Sequence, residues 1–182
     1  MSKKTNKIVR YTVFLTRWGY FGLAGMQRGI LRTVLPGEKK AAVERRLLEG
    51  LEKTVYEKDF MRQVQELVKA YFDGSYVDFG GDVMVVMEGG GKFSREVYER
   101  LRDVRYGQTI SYGRLAELAG RSGAARAVGQ VLAKNCVPLI IPCHRVICAN
   151  GAAGGFSAYG GTRLKQKMLC LERKVCAKGQ IA

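Results

Sequence analysis

The chain is poor in the residues that bind metals and make disulfides. It has one histidine in 182 residues, and no cysteine precedes position 136. The five cysteines are Cys136, Cys143, Cys148, Cys170 and Cys176, an odd number with no C-x-x-C pair. A zinc site is therefore poorly supplied, and a disulfide framework is not expected. Cys148 and Cys170 are expected in the core, and Cys176 exposed near a tail. No run of 18 apolar residues is present to span a bilayer. The polar, basic stretch Met1 to Arg10 leads into no long apolar region, so no signal peptide is expected and the chain is placed inside the cell. Acidic residues are also scarce. Against 31 lysines and arginines there are 16 aspartates and glutamates, a net charge of +15. Such a balance favours an anionic partner, nucleic acid before a membrane surface. Gly89, Gly90 and Gly91 are too few and too close for a phosphate-binding or dinucleotide fingerprint.

What is present divides around residues 88 to 92. Before that break, Ile8 to Thr16, Tyr20 to Gly25 and Gly29 to Leu35 read as strands with glycine-containing turns. Glu38 to Leu51 and Phe60 to Phe72 read as amphipathic helices, and Tyr76 to Phe79 and Val83 to Met87 as further strands. This half shows no catalytic constellation. After the break the pattern is mostly helical. Ser94 is a candidate cap for a helix to about Val104, and Ser111 for a second over Tyr112 to Ala119, which Gly120 ends. A third runs from about Gly123 to Lys134. Two short helices joined by a glycine-bearing turn fit a helix-turn-helix, and Arg114, Arg121, Arg126 and Lys134 make it basic.

Pro142-Cys143-His144-Arg145-Val146 sets the sole histidine beside a cysteine. A thiol attacks as its thiolate, and an imidazole is the usual device for making one near neutral pH. The apolar run Val137 to Ile141 ahead of it reads as a short buried strand. Adjacent residues on a strand point apart, so the pair need not touch.

The string Ile141-Pro142-Cys143-His144-Arg145-Val146-Ile147, with Asn135 and Val137-Pro138, resembles the active-site segment of the O6-alkylguanine-DNA alkyltransferases. Tyr106-Gly107 and Ser111-Tyr112-Gly113 resemble the start of that family's helix-turn-helix, and Ala124 to Gly129 its recognition helix. Gly154-Gly155-Phe156-Ser157, then Leu164-Lys165 and Leu171-Glu172, resemble its C-terminal loop and helix. The likeness covers about residues 92 to 173. Earlier it is faint, at Tyr71-Phe72 and Gly74.

The resemblance implies an α+β chain. A small, ribonuclease H-like α+β domain would occupy 1–88, and a linker 89–92. A mostly helical winged helix-turn-helix domain carrying the active site would occupy 93–175, and a tail 176–182. It implies DNA repair by irreversible transfer of an alkyl group from O6-alkylguanine in duplex DNA to Cys143, after base flipping. No cofactor is required, no membrane is involved and a monomer is expected. By the same resemblance His144 is the base, acting through a water, and Glu172 orients it. Tyr112 crowds the target nucleotide's phosphate and offers its hydroxyl to the departing base. Asn135 braces the turn bearing Cys143; a simple helix C-cap is its other reading. Arg126 fills the gap left by the flipped base, Ala125 and Gly129 belong to the DNA-facing helix, and Ser157 lies in the loop over the guanine. Arg145 ties the turn to the fold. Some relatives carry zinc in their N-terminal half, but this one has neither cysteine nor histidine there.

Tyr98 stands near a usual tryptophan, and Val104-Arg105-Tyr106 replaces a more usual Ile-Pro-Tyr; both affect packing. Ala158 and Tyr159 look like an insertion beside the pocket, which leaves tolerance of bulky groups open. The competing reading is a DNA-binding module that senses alkylated bases without repairing them. Such proteins lack the acceptor cysteine. A cysteine hydrolase would normally place Cys and His far apart in sequence, and has no use for the charge.

Overall fold

A computed structural model describes residues 8–80, 83–87, 90–177 and 179. Met1 to Lys7, Gly89 of the linker and most of the 176–182 tail lie outside the described residues.

The chain opens on strands β1 (Val9–Thr16), β2 (Gly19–Met26) and β3 (Gly29–Gly37), then helix α1 (Lys40–Leu48), strand β4 (Thr54–Tyr56) and helix α2 (Arg62–Asp73). The sheet order is β3-β2-β1-β4. The first three strands form an antiparallel meander, and β4 lies parallel to β1. Strand alternation sorts the side chains to two faces. Val9, Val13, Ala24 and Met26 pack with Val43 and Leu47 of α1. Phe21, Leu23, Ile30 and Leu35 pack with Val68, Tyr71 and Phe72 of α2. The short strand β4 was not foreseen in sequence.

Helices α3 (Lys92–Arg102), α4 (Tyr112–Leu118) and α5 (Ala125–Ala133) follow, with the two-residue strand β5 (Ile110–Ser111) before α4. A 3-10 turn (Cys143–Arg145), strand β6 (Val146–Ile147) and helix α6 (Gly161–Ala177) complete the chain, and β5 pairs in parallel with β6. Ser111 caps α4, its Oγ accepting the Arg114 N–H at 3.1 Å. Gly120, at φ +78°, then turns the chain where other residues pay a steric cost. Val97 and Leu101 of α3, Leu115 and Ala116 of α4, and Val128 and Leu132 of α5 share a core with Cys143 and Val146. The other core is not confined to the first half: Tyr106, Val137, Leu139, Ile140, Met168 and Val175 complete the cluster around α2. No helix among the described residues is long and apolar enough to cross a membrane.

Four local expectations need correction. Ser94 lies inside α3, whose N-cap is Gly91. Tyr76 to Phe79 and Val83 to Met87 are not ladder strands; only the bridge Ile30–Val85 forms there. The guanidinium of Arg102 takes the place of a strand partner, donating from Nη2 to the carbonyls of Gly80 (2.7 Å), Val83 (2.9 Å) and Phe79 (3.4 Å). Val137 to Ile141 is buried but turns back on itself, with Leu139 at φ +79° and the Ile141 N–H bonded to the Val137 carbonyl. Its polar backbone is satisfied from β3: the Thr33 N–H donates to the Cys136 carbonyl at 2.9 Å, and Thr33 Oγ1 to the Pro138 carbonyl at 2.8 Å. The helix C-cap is Lys134, and Asn135 follows it.

Candidate active site

Cys143 opens the 3-10 turn at the floor of a cavity of about 780 Å3. Tyr112 at the head of α4, Ala125, Arg126 and Gly129 on the first turns of α5, and Ser157 in the loop before α6 line the same cavity. Six of the residues singled out in sequence are thus brought to one concavity. Arg126 and Ser157 are exposed, whereas Cys143 is 6% exposed. The loop needs its glycine: Gly154 sits at φ +69°, and a Cβ there would stand 3.1 Å from the Tyr112 ring and 3.2 Å from Cys148 Sγ. Tyr112 Oη lies 3.5 Å from the Gly155 carbonyl. Half-burial raises the Tyr112 pKa, so the phenol keeps its proton for donation.

Asn135 locks the approach to the turn. Its Nδ2 donates to the Ile141 carbonyl at 3.0 Å, and its Oδ1 accepts the Val137 N–H at 3.0 Å. The side chain therefore ties both ends of the reversal that delivers Cys143. Burial pushes the Cys143 thiol up; the Asn135 amide, Lys165 and the N–H groups of Cys143 and His144 act against it.

Beneath the cysteine lies a buried polar cluster. His144 Nε2 is 2.7 Å from Glu172 Oε1, with His144 fully buried and Glu172 1% exposed. Arg145 grips the same carboxylate, Nε to Oε2 at 3.0 Å and Nη2 to Oε1 at 3.1 Å, and donates from Nη1 to the Val104 carbonyl at 2.6 Å. The Gly107 N–H donates to Oε2 at 2.9 Å. Gly107, at φ +77°, comes so near α6 that a Cβ would overlap Cys176 Sγ. Burial alone would raise the Glu172 carboxyl, but His144 and Arg145 outweigh it and hold it at about 2. Burial lowers the His144 pKa despite the carboxylate beside it. Near neutral pH the pair is a neutral imidazole and a carboxylate, with Nε2 donating. Nδ1 keeps its lone pair and has no hydrogen-bond partner among the described residues.

Two residues of this region received no role in sequence. Lys165 is fully buried, its Nζ donating to the Val146 carbonyl at 2.6 Å and the Gly155 carbonyl at 3.3 Å. Its signal was position: Lys165, Met168, Glu172 and Val175 fall on one buried stripe of α6, where a lysine is out of place. Tyr71 reaches the cluster from α2, Oη donating to Glu172 Oε1 at 2.9 Å. In the sequence it marks only a faint likeness, with no role attached. Three cysteines also differ from expectation: Cys148 is half-buried and lines the cavity, Cys170 faces outward from α6 and is exposed, and Cys176 is half-buried against Tyr106. No group of His, Cys, Asp and Glu among the described residues could hold a metal.

Residues 92–174 match the family model described as 6-O-methylguanine DNA methyltransferase, DNA binding domain. A methylated-DNA–protein-cysteine methyltransferase of Methanosarcina acetivorans is 34% identical over 89% of this chain and 97% of its own length. The chain belongs to the methylated-DNA–protein-cysteine methyltransferase family. A member from Cricetulus griseus is 34% identical, with 90% of this chain and 82% of the relative covered. The fold agrees as well. The Mycobacterium tuberculosis protein OGT, solved in complex with DNA, superposes with a TM-score of 0.73 at 31% identity, covering 91% of this chain and 94% of that one.

Proposed function

We propose that Cys143 is the alkyl acceptor and that the cluster beneath it activates the thiol. The activity itself follows from the family: the chain repairs DNA by alkyl transfer to a cysteine of its own. The observation that carries the assignment is the stack of Cys143, a neutral His144 and an ionised Glu172, with the sulfur at the floor of a cavity that opens beside α5.

The substrate is O6-alkylguanine in duplex DNA. A base in the stack is out of reach, so it must be flipped into the cavity, at a cost of a few kcal/mol. Arg126, exposed on the first turn of α5, takes the vacated place. The Cys143 proton passes to His144, by way of a water, and Glu172 stabilises the imidazolium. The sulfur then attacks the alkyl carbon. A carbon–sulfur bond forms, the bond from that carbon to O6 breaks, and guanine departs with the electron pair. Tyr112 supplies a proton to the leaving base, and Asn135 holds the turn while the sulfur reacts. Ser157 and the glycines before it close over the guanine edge. The product is a thioether with no good leaving group, so each molecule acts once.

The DNA face is read as a winged helix-turn-helix, which the α4–α5 pair and the short β5–β6 ladder support. The first 88 residues are read as a ribonuclease H-like unit, supported by the meander with β4 parallel to β1. Domain limits of 93–175 for the second unit follow the same reading. Each chain holds a complete site, in keeping with action as a monomer.

Intact mass after exposure to duplex DNA with a single O6-methylguanine tests the reading. The chain should gain one CH2, mapped to Cys143. A Cys143→Ser variant should gain nothing while still binding DNA, because an alcohol is far less acidic and a poorer soft nucleophile. Alkyl mass on another cysteine would refute the assignment.

A further inference from the structure

Tyr71 lies in the part of the chain where sequence showed no chemistry, yet its hydroxyl ends inside the site. It is the largest fully buried side chain among the described residues. Phe72, Tyr106 and Phe79 surround its ring, at centroid distances of 5.0, 5.7 and 6.2 Å. Phenylalanine would fill that space equally well. A buried hydroxyl costs free energy unless it is bonded, so its partners define its use. They are Glu172 Oε1 at 2.9 Å and His144 Nε2 at 3.4 Å.

Burial and the charge of Glu172 raise the Tyr71 pKa well above its usual value, so the group remains a donor. Glu172 already receives hydrogen bonds from His144, Arg145 and Gly107. The phenol adds one to Oε1, the oxygen that faces the imidazole. His144 and Arg145 Nη2 already reach that oxygen, and a further donor fixes its direction and leaves it less charge to pull the imidazole toward its protonated form. Arg145 and Lys165 oppose protonation of His144 as well, and Tyr106 lies beside Glu172 without donating to it.

We infer that Tyr71 is a positioning residue for alkyl transfer: its hydroxyl, delivered from α2, fixes and partly neutralises the Glu172 carboxylate so that His144 stays a neutral acceptor for the Cys143 proton. The N-terminal half thereby takes part in the chemistry at a defined atom. The inference rests on the reading in which His144 accepts that proton.

The test compares the full-length parent, Tyr71→Phe, Glu172→Gln and the double variant in single-turnover transfer from O6-methylguanine duplex, across pH. Tyr71→Phe should be three- to tenfold slower at neutral pH, and the acid limb of its rate profile should move to higher pH. The double variant should be no slower than Glu172→Gln, since Tyr71 acts through that carboxylate. His144 gives the chain's one histidine signal, and its NMR titration should move upward in Tyr71→Phe. If Tyr71→Phe does not fold, uniform 3-fluorotyrosine in the parent retains the shape with a stronger donor, and the same signal should move downward. An unmoved acid limb and histidine signal, or additive losses in the double variant, would overturn the inference. Absence of transfer in the parent would instead overturn the function proposed for the site.

Discussion

Lys165 and Glu172 stand seven residues apart on one buried stripe of α6, and Lys165 acts on Cys143 while Glu172 holds its neighbour His144. The ammonium of Lys165 spans β6 and the loop over the cavity, through the carbonyls of Val146 and Gly155. The carboxylate of Glu172 receives His144, Arg145, Gly107 and Tyr71. One helix thus places a positive charge that favours the thiolate and a negative charge that favours the imidazolium. Both are products of the proton transfer proposed for the site.

Lys165→Met should leave the stripe filled but remove the positive charge. Its loss raises the Cys143 thiol further, since Lys165 is one of the groups that act against burial there. The thiolate fraction falls with it, so the rate of Cys143 labelling by iodoacetamide at neutral pH should drop, measured by mass spectrometry of the peptide.

Glu172→Gln should slow transfer by about tenfold or more, the usual range of acid–base assistance. It also strips the buried Arg145 of its ion pair. Leaving such a charge uncompensated costs about 3–5 kcal/mol. Thermal unfolding should show that loss, and single-turnover rates at saturating DNA measured well below the new Tm should show the chemical defect separately.

Stability should fall on acidification in two windows. His144 is held neutral by burial, so its folded pKa lies below the value of about 6.5 for an unfolded histidine. As pH drops below that value the unfolded chain takes the proton first, and stability is lost. Glu172 has a folded pKa of about 2 against 4.5 for the free group. Its contribution is complete above pH 4.5, on the order of 3 kcal/mol, and disappears as pH falls toward 2. Denaturant midpoints between pH 7 and pH 3 should decline throughout, and a midpoint that rises below pH 6 would contradict both assignments.

Arg126→Ala should separate flipping from phosphate binding. A phosphate contact would weaken binding to all DNA alike and lower the salt slope by about one. A residue that holds the gap open affects a paired lesion most, because extrusion is cheapest for an unpaired base. Transfer from duplex O6-methylguanine should be strongly impaired and transfer from free O6-benzylguanine much less so. Equal impairment would place Arg126 in the pocket or the fold.

The residues that meet at Cys143 were largely legible in the chain because they are local. Pro142 to Val146 form one turn, Ser111 and Tyr112 one helix start, and Ala125, Arg126 and Gly129 one helix face. Their order and type suffice to name them. Glycine and serine also marked the ends of α4, where backbone geometry depends on one or two residues. Sequence did less well where a buried backbone finds its partner at a distance. Val137 to Ile141 is as apolar as a strand, yet Thr33 of β3 satisfies the Pro138 carbonyl and Asn135 folds the segment back. Phe79, Gly80 and Val83 are held by the Arg102 guanidinium instead of a ladder. Lys165 and Tyr71 stood in the motifs of the resemblance but without a role in the site. Burial of a polar atom is tolerated only when a partner exists, and the partners lie on other elements. Sequence by itself determined the cysteine proposed as nucleophile, its neighbour and the helices that present them. Only the tertiary structure decided what charges and donors surround them, because those depend on packing α2 and α6 against one three-residue turn.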